Sequence, residues 1–144
     1  MMNDSAIVHE QGFVEFVVPT RRERVGTLLS SQKGREKLIA SLSCFSGFAD
    51  QYVVPVEARS QNADEICALL QSKGAPHTCY VMAENAKLDR KILDLPDVLE
   101  AVVGFGLGAF VSCVAGKLAF YEGESPGTRF ILEKKRVQER MARG

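Results

Sequence analysis

A few scattered polar side chains in this 144-residue sequence are the best candidates for acid–base chemistry. The candidates are His77, Glu84, Tyr121 and Glu122, each of which can accept or donate a proton. They are separated in the sequence, so a catalytic site would require the fold to bring them together. A small enzyme with its site around His77, Glu84 and Glu122 is therefore one hypothesis.

His77 and Cys79 lie two residues apart in a predicted strand, so their side chains share a face. A Cys–His nucleophile needs its two groups within hydrogen-bond reach. Same-face neighbours along a strand are about 6.5–7 Å apart, which is too far. We therefore expect a buried cysteine beside a surface histidine. All four cysteines lie at apolar-patterned positions without the close ligand pairs of a zinc site, which predicts reduced core thiols.

The stretch Gly104-Phe105-Gly106-Leu107-Gly108 has the glycine density of a phosphate-binding loop. Such a loop follows a strand and opens a helix, whose amides hold the phosphate. Here a predicted helix precedes the glycines and a predicted strand follows them. The order predicts a structural helix-to-strand turn, in which Phe105 and Leu107 form an apolar surface that a protein partner can contact.

Acidic residues do not form a recognisable metal site. Asp97 with Glu133 and Lys135 could be aligned with a metal-dependent nuclease, but Asp97 opens a predicted helix rather than ending a strand. The acidic stretch from Glu84 to Asp97 lacks the glycine and the alternating ligands of a calcium loop. No metal and no cofactor is predicted.

Charge is balanced overall but unevenly distributed. The chain has 18 basic and 18 acidic side chains, yet basic residues outnumber acidic ones six to two between positions 20 and 40. Arg21, Arg24 and Arg35 would lie on the polar face of the helical segments there. This face could contact an acidic protein or, together with the basic C-terminal tail, nucleic acid.

Periodicity and turn residues predict the secondary structure. The first strand is expected at 13–18, followed by a helix that begins with a Thr20–Glu23 capping box and resumes after a break at 30–34. A second strand at 52–57 contains Pro55 and so lies at an edge. A second capping box, Asn62–Glu65, opens a helix that ends at Gly74. Next come a strand at 78–83, a long loop at 84–94 and a helix after Asp94. A hairpin follows, with strands at 110–114 and 118–122 that are joined by a turn at Ala115-Gly116-Lys117. The last strand is expected at 129–132.

This order predicts an α+β domain. We expect a mostly antiparallel sheet of about five to six strands, three to four helices packed on one face, and a C-terminal β-meander. Residues 1–144 form a single domain of ordinary composition, with mobile tails at 1–11 and 134–144. The sequence has neither a signal peptide nor an apolar run long enough to span a membrane, which predicts a cytoplasmic protein without a membrane partner.

The function that these patterns favour is a non-catalytic protein-interaction or regulatory module. It would bind a protein partner through Phe105 and Leu107 or through Arg21, Arg24 and Arg35. It could also self-associate, through an exposed strand edge or through the apolar region that Phe105 and Leu107 form with Phe110. The alternatives are the small enzyme described above and a nucleic-acid-binding protein that uses the basic first helix and the tail.

Overall fold

The described part of the chain folds as six strands and five helices. The strands are β1 (Val53–Pro55), β2 (Thr78–Ala83), β3 (Ile92–Asp94), β4 (Ala109–Val114), β5 (Leu118–Glu122) and β6 (Arg129–Glu133). The helices are α1 (Asp4–Glu15), α2 (Pro19–Leu29), α3 (Gln32–Ala40), α4 (Ala63–Ser72) and α5 (Leu95–Val102), with 3-10 turns at Leu42–Cys44 and Asp50–Tyr52. These elements come from a computed structural model that describes residues 4–57, 61–124 and 128–134.

The strands form one antiparallel sheet in the order β1-β6-β5-β4-β2-β3. The predicted α+β class, the antiparallel sheet and the C-terminal meander of β4, β5 and β6 are confirmed. None of the described helices has both the length and the apolarity needed to cross a membrane.

The helices cover both faces of the sheet rather than the single face predicted. Val81, Val111 and Phe120 pack beneath α4 and α5, whereas Tyr80 and Phe110 pack beneath α1, α2 and α3. Every residue of β5 is buried, because its side chains alternate between two covered faces. Central strands that are apolar at consecutive positions are typical of such a sheet.

Aromatic rings hold α1 on the sheet. The Phe13 ring centroid lies 4.8 Å from that of Phe110 and 5.3 Å from that of Phe48, both in edge-on geometry. Phe48 makes a similar contact with Tyr121 at 5.3 Å. Edge-on aromatic pairs add about 0.5–1.5 kcal/mol each beyond their burial, so this cluster fixes the position of the first helix.

The prediction of a first strand at 13–18 is wrong, because these residues end α1 and lead into α2. Phe13 and Phe16 are both fully buried, at the three-residue spacing of one helix face. Only Val17 pairs in a strand-like manner, through a single bridge to Phe48. Residues 4–11, predicted to be a mobile tail, lie within α1, where Ala6 and Glu10 are buried. Residues 1–3 and 135–144 of the two predicted tails lie outside the described residues.

The Asn62 half of one predicted capping box is confirmed. The Asn62 side chain accepts a hydrogen bond from the Glu65 amide at 2.9 Å, and α4 ends before Gly74, whose φ is +106°. The Thr20 box is wrong, since α2 begins at Pro19 and its N-cap makes no side-chain hydrogen bond. Proline suits that first position because its missing N–H would have no partner there.

The predicted hairpin is confirmed. Strands β4 and β5 are joined by a turn in which the Lys117 amide donates to the Val114 carbonyl at 2.9 Å and Gly116 has φ +71°. A register shift between Ser112 and Val114 marks a bulge just before the turn.

Both sheet edges are short. Strand β1 lies at one edge, as Pro55 predicted, and pairs with β6. The other edge is β3, which lies inside the segment 84–94 that was predicted to be entirely loop. Three-residue edge strands expose few unpaired backbone groups to other chains.

Candidate functional site

Four polar side chains meet where α1 and α3 cross the sheet, and we call them the Arg35 network: Glu10, Arg35, Tyr80 and Asp89. Arg35 donates to both carboxylate oxygens of Glu10, with its shortest contact at 2.7 Å, and to both of Asp89, with its shortest contact at 2.7 Å. The Tyr80 hydroxyl donates to Glu10 at 2.6 Å. Arg35 and Glu10 are each only 4% exposed.

The pKa values of Arg35 and Tyr80 are both raised within this network. Burial alone lowers the pKa of Arg35, but its hydrogen bonds to Asp89 and Glu10 raise that pKa above its ordinary value. Burial, followed by the bond to Glu10, raises the pKa of Tyr80. Both groups therefore stay protonated at neutral pH. The network joins α1, α3, β2 and the loop after β2, and its groups are already bound to one another.

His9 and Ser112 form a second polar pair beside Tyr80. The His9 Nδ1 lies 2.5 Å from the Ser112 Oγ, and its ring stacks on Tyr80 with centroids 5.6 Å apart. A histidine next to a serine hydroxyl is the arrangement of a base with a nucleophile. Ser112 is only 1% exposed, however, so a substrate cannot reach its hydroxyl. Burial lowers the pKa of His9, which favours the neutral ring in this contact.

A polar groove, here called the α3 groove, runs between α3 and the segment 84–90. Its volume is about 490 Å³. Its lining combines charged and apolar side chains: Gln32, Arg35, Glu36, Ile39, Ala40, Glu84, Asp89, Arg90 and Leu107. The groove thus passes over the outer edge of the Arg35 network and ends at Leu107.

Arg90 lies in this groove with a backbone conformation that residues other than glycine rarely adopt. Its φ is +70°, the only positive φ at a non-glycine residue in the described part of the chain. Its amide donates to the Val81 carbonyl at 2.7 Å, and its guanidinium donates to Gln32 at 2.5 Å. Backbone and side chain are therefore both held.

The loop after α5 carries two exposed large apolar side chains, and one of them, Phe105, is the most exposed in the described part of the chain. Phe105 is 66% exposed and Leu107 is 47% exposed. They border an apolar cleft of about 280 Å³. The cleft is also lined by Ala83, Asn85, Leu88, Ala101, Val102, Gly108 and Ala109. We call Phe105, Leu107 and this cleft the 105–107 surface.

Both ends of the loop are fixed. The Gly104 amide donates to the buried Glu122 carboxylate at 2.9 Å. At the other end the Glu84 amide donates to the Gly108 carbonyl at 3.0 Å. A Cβ on Gly108 would lie 2.2 Å from the Ser43 amide nitrogen, so only glycine permits this approach. Phe105 and Leu107 are therefore presented by an anchored turn, which agrees with the structural turn predicted from the order of elements.

A third depression lies between α1 and α2. It has a volume of about 540 Å³ and is mainly apolar. Its lining is Ile7, Glu10, Gln11, Val14, Glu15, Gly26, Leu29 and Ser30. The one buried carboxylate in this lining, Glu10, is already bound to Arg35 and Tyr80.

The predicted catalytic side chains do not form one cluster, although the Tyr121 hydroxyl and the Glu84 carboxylate bind the neighbouring residues Leu42 and Ser43. His77 is exposed before β2, with its Nε2 3.4 Å from Asp94 Oδ2, whereas Glu84 follows the opposite end of that strand. The Tyr121 hydroxyl is buried and donates to the Leu42 carbonyl at 2.6 Å. Burial raises the pKa of Tyr121 to about 12.

The Glu122 carboxylate is bound by two groups within the fold, the Arg129 guanidinium and the Gly104 amide. Arg129 donates to its two oxygens at 2.6 and 2.8 Å, and the carboxylate also receives the Gly104 amide. The hydrogen bond from Arg129 is the main cause that raises the pKa of that guanidinium. Glu122 therefore positions the 105–107 surface rather than facing His77 or Glu84.

The arginines that were predicted to bind a partner differ in their exposure and contacts. Arg24 is exposed, and the Arg21 guanidinium lies 5.6 Å from the centroid of the Phe45 ring. Arg35 is buried in its network, so the expectation that it lies on an exposed basic face is wrong. The helical pattern put Arg35 on the polar side, and no sequence pattern signalled its two distant carboxylate partners.

The cysteines are not all core residues. Cys79 and Cys113 are buried, Cys67 is partly buried and Cys44 is exposed, which corrects the prediction of four core thiols. Within residues 4–57, 61–124 and 128–134, no three cysteine, histidine or acidic side chains are grouped as a metal site.

Comparison with models of protein families, with curated proteins and with solved structures gives no match for this chain.

Proposed function

We propose that this chain is a non-catalytic protein-binding module whose partner docks on the 105–107 surface. The observation that carries the proposal is the exposure of Phe105 and Leu107 on a loop whose two ends are held by hydrogen bonds. Burying one such side chain contributes about 1.5–3 kcal/mol. A partner that covers both Phe105 and Leu107 would gain most of that free energy from each side chain.

The rigidity of the loop favours binding. A loop that orders only on association loses conformational entropy, which weakens the complex. Here Glu122 holds Gly104, and Gly108 is packed against Ser43, so little ordering remains to be done. Large apolar anchors next to a preformed cleft are the arrangement in which binding energy concentrates.

The test is a selection of peptides from a random display library on the wild-type chain, followed by affinity measurements on variants. We expect Leu107→Ser to weaken the selected peptides by about tenfold or more, the effect of losing one anchor. The matched control is Ile92→Ser, because Ile92 is equally exposed at 47% but lies on β3.

Circular dichroism verifies that both variants remain folded. Equal binding of the peptides to wild type and Leu107→Ser, or the absence of any enriched peptide, would count against the proposal.

A further inference from the structure

The 105–107 surface continues into the α3 groove. Leu107 lines both depressions, so a segment bound at the apolar cleft has a direct path into the polar groove. The chemistry of the groove therefore bears on which partner the proposed function requires.

The charges along this path do not balance. The two arginines of the groove face two carboxylates: Arg35 binds Glu10 and Asp89, and the Arg90 Nε lies 4.0 Å from Asp89. These four charges cancel. Among the described residues that line the groove, none is a lysine.

Two carboxylates in the groove are left without a cation. Glu36, on α3, accepts one hydrogen bond from the Gln32 amide group at 2.9 Å. Glu84, on the opposite wall, accepts one from the Ser43 backbone at 2.8 Å. Neither carboxylate lies within ion-pair distance of a cation in the described part of the chain.

A third carboxylate extends the acidic border past the groove. Glu124 lies on the other side of Ser43, with its Oε1 3.4 Å from the Ser43 hydroxyl and its amide bonded to the Ser43 carbonyl at 3.0 Å. Glu124 is exposed and likewise forms no ion pair among the described residues. Negatively charged side chains thus border the 105–107 surface on the side that faces the α3 groove.

We propose that the partner is a protein segment with an apolar side chain that enters the 105–107 cleft and a neighbouring arginine that lies in the α3 groove between Glu36 and Glu84. This inference rests on the proposed function, since the apolar contact provides the anchor. Arginine fits better than lysine because its planar fork donates to two carboxylate oxygens at once. Charge complementarity of this kind steers association and selects among partners.

The experiment uses synthetic peptides that carry an Arg-Arg pair and a Leu-Trp anchor, separated by glycine spacers of increasing length. The chain contains no tryptophan, so the peptide's fluorescence reports binding directly. A matched set replaces each arginine with citrulline, which keeps the shape and removes the charge. The protein is the full chain, as wild type, as Glu36→Gln/Glu84→Gln, as Leu107→Ser and as the control Glu23→Gln/Glu65→Gln.

The control removes the same number of charges from exposed positions on α2 and α4. Glutamine at position 84 retains an oxygen that can accept from Ser43, so the fold is preserved. We expect the best arginine peptide to bind about tenfold more weakly to Glu36→Gln/Glu84→Gln, and the citrulline peptide to bind wild type about tenfold more weakly, the effect of losing two partly exposed ion pairs. The control should stay within about twofold.

The outcomes separate the two proposals. If arginine and citrulline peptides bind equally while Leu107→Ser abolishes both, the partner's charge is irrelevant and this inference is overturned, whereas the proposed function stands. If Leu107→Ser has no effect on peptides that do bind, the proposed function also fails. Failure of every peptide to bind below about 1 mM overturns this inference. A dimer by light scattering that Phe105→Ser dissociates would show that a second copy covers the surface, which also overturns it.

Discussion

Gly12 of α1 lies directly against Gly116 of the β4–β5 turn, so closely that a Cβ on Gly12 would be 2.4 Å from the Gly116 amide nitrogen. The neighbouring atoms belong to the backbone, which cannot rotate away as a side chain can. The absence of a side chain at Gly12 therefore sets how deeply the first helix rests on the hairpin.

We expect Gly12→Ala to lower the free energy of unfolding by about 1–3 kcal/mol, because the added methyl forces the helix and the turn apart. Gly26→Ala is the matched control, since Gly26 is also helical but a Cβ there meets no atom within 4 Å. It should raise the free energy of unfolding by about 0.5–1 kcal/mol through helix propensity. Urea denaturation measures both. Similar changes in the two variants would show that the helix has room at Gly12.

Arg35→Met should be strongly destabilising. It leaves the buried Glu10 and the partly buried Asp89 without their shared cation, and breaking a buried ion pair typically costs about 3–5 kcal/mol. Lys73→Met is the comparison, because its pair with Glu133 is about a quarter exposed and such pairs contribute about 0–1 kcal/mol. Equal losses in chemical denaturation would mean that the network contributes no more than a surface contact.

Stability should fall as the pH drops below about 6.5, the ordinary pKa of histidine. Burial lowers the pKa of His9 in the folded chain, so the unfolded chain binds the proton more readily. The contribution is therefore fully present above the unfolded pKa and is lost progressively towards the lower folded pKa. His9→Gln should flatten this part of the pH dependence, whereas His77→Asn should retain it. Thermal unfolding at a series of pH values measures the slope, and an unchanged slope in His9→Gln would contradict the assignment.

Thiol reactivity should distinguish the four cysteines. Exposed Cys44 should react rapidly with a disulfide reagent at neutral pH. Burial, assisted by Asp94, raises the pKa of Cys79 to about 12, and burial also raises the pKa of Cys113. These two thiols should react only after unfolding. Cys44→Ser should remove the fast phase, and a fast phase that persists when the partly buried Cys67 is also changed to serine would show that a core thiol is accessible.

Local signals in the sequence were enough to predict much of the sheet. Strand β2 was predicted with its observed bounds, and the hairpin followed from Gly116. The Asn62 cap and the Gly74 stop are also decided by neighbours a few residues away. By contrast, residues 13–18 at the end of α1 were mistaken for a strand because they are rich in aromatic and β-branched side chains. Phe13 and Phe16 are instead buried at the three-residue spacing of one helix face.

The Arg35 network could not be predicted in this way. Arg35 is 25 residues from Glu10 and 54 from Asp89, and Tyr80 is 70 residues from Glu10. Periodicity places each side chain on a face but does not identify the face that covers it. The same limit applied to His9 and Ser112. Phe105 and Leu107 were identified because glycines on either side mark the turn locally, although their exposure depends on the anchors at Ser43 and Glu122.

The pairing order of the sheet has a consequence for synthesis on the ribosome. Helix α1 is made first, yet it packs on β2, on β4 and on the turn that follows β4. At about 5–20 residues per second, the 103 positions from His9 to Ser112 take on the order of ten seconds to translate. During that interval Phe13 and Phe16 have no sheet to cover them. Until β4 is made, the apolar face of α1 therefore lacks the strand residues that cover it in the folded chain.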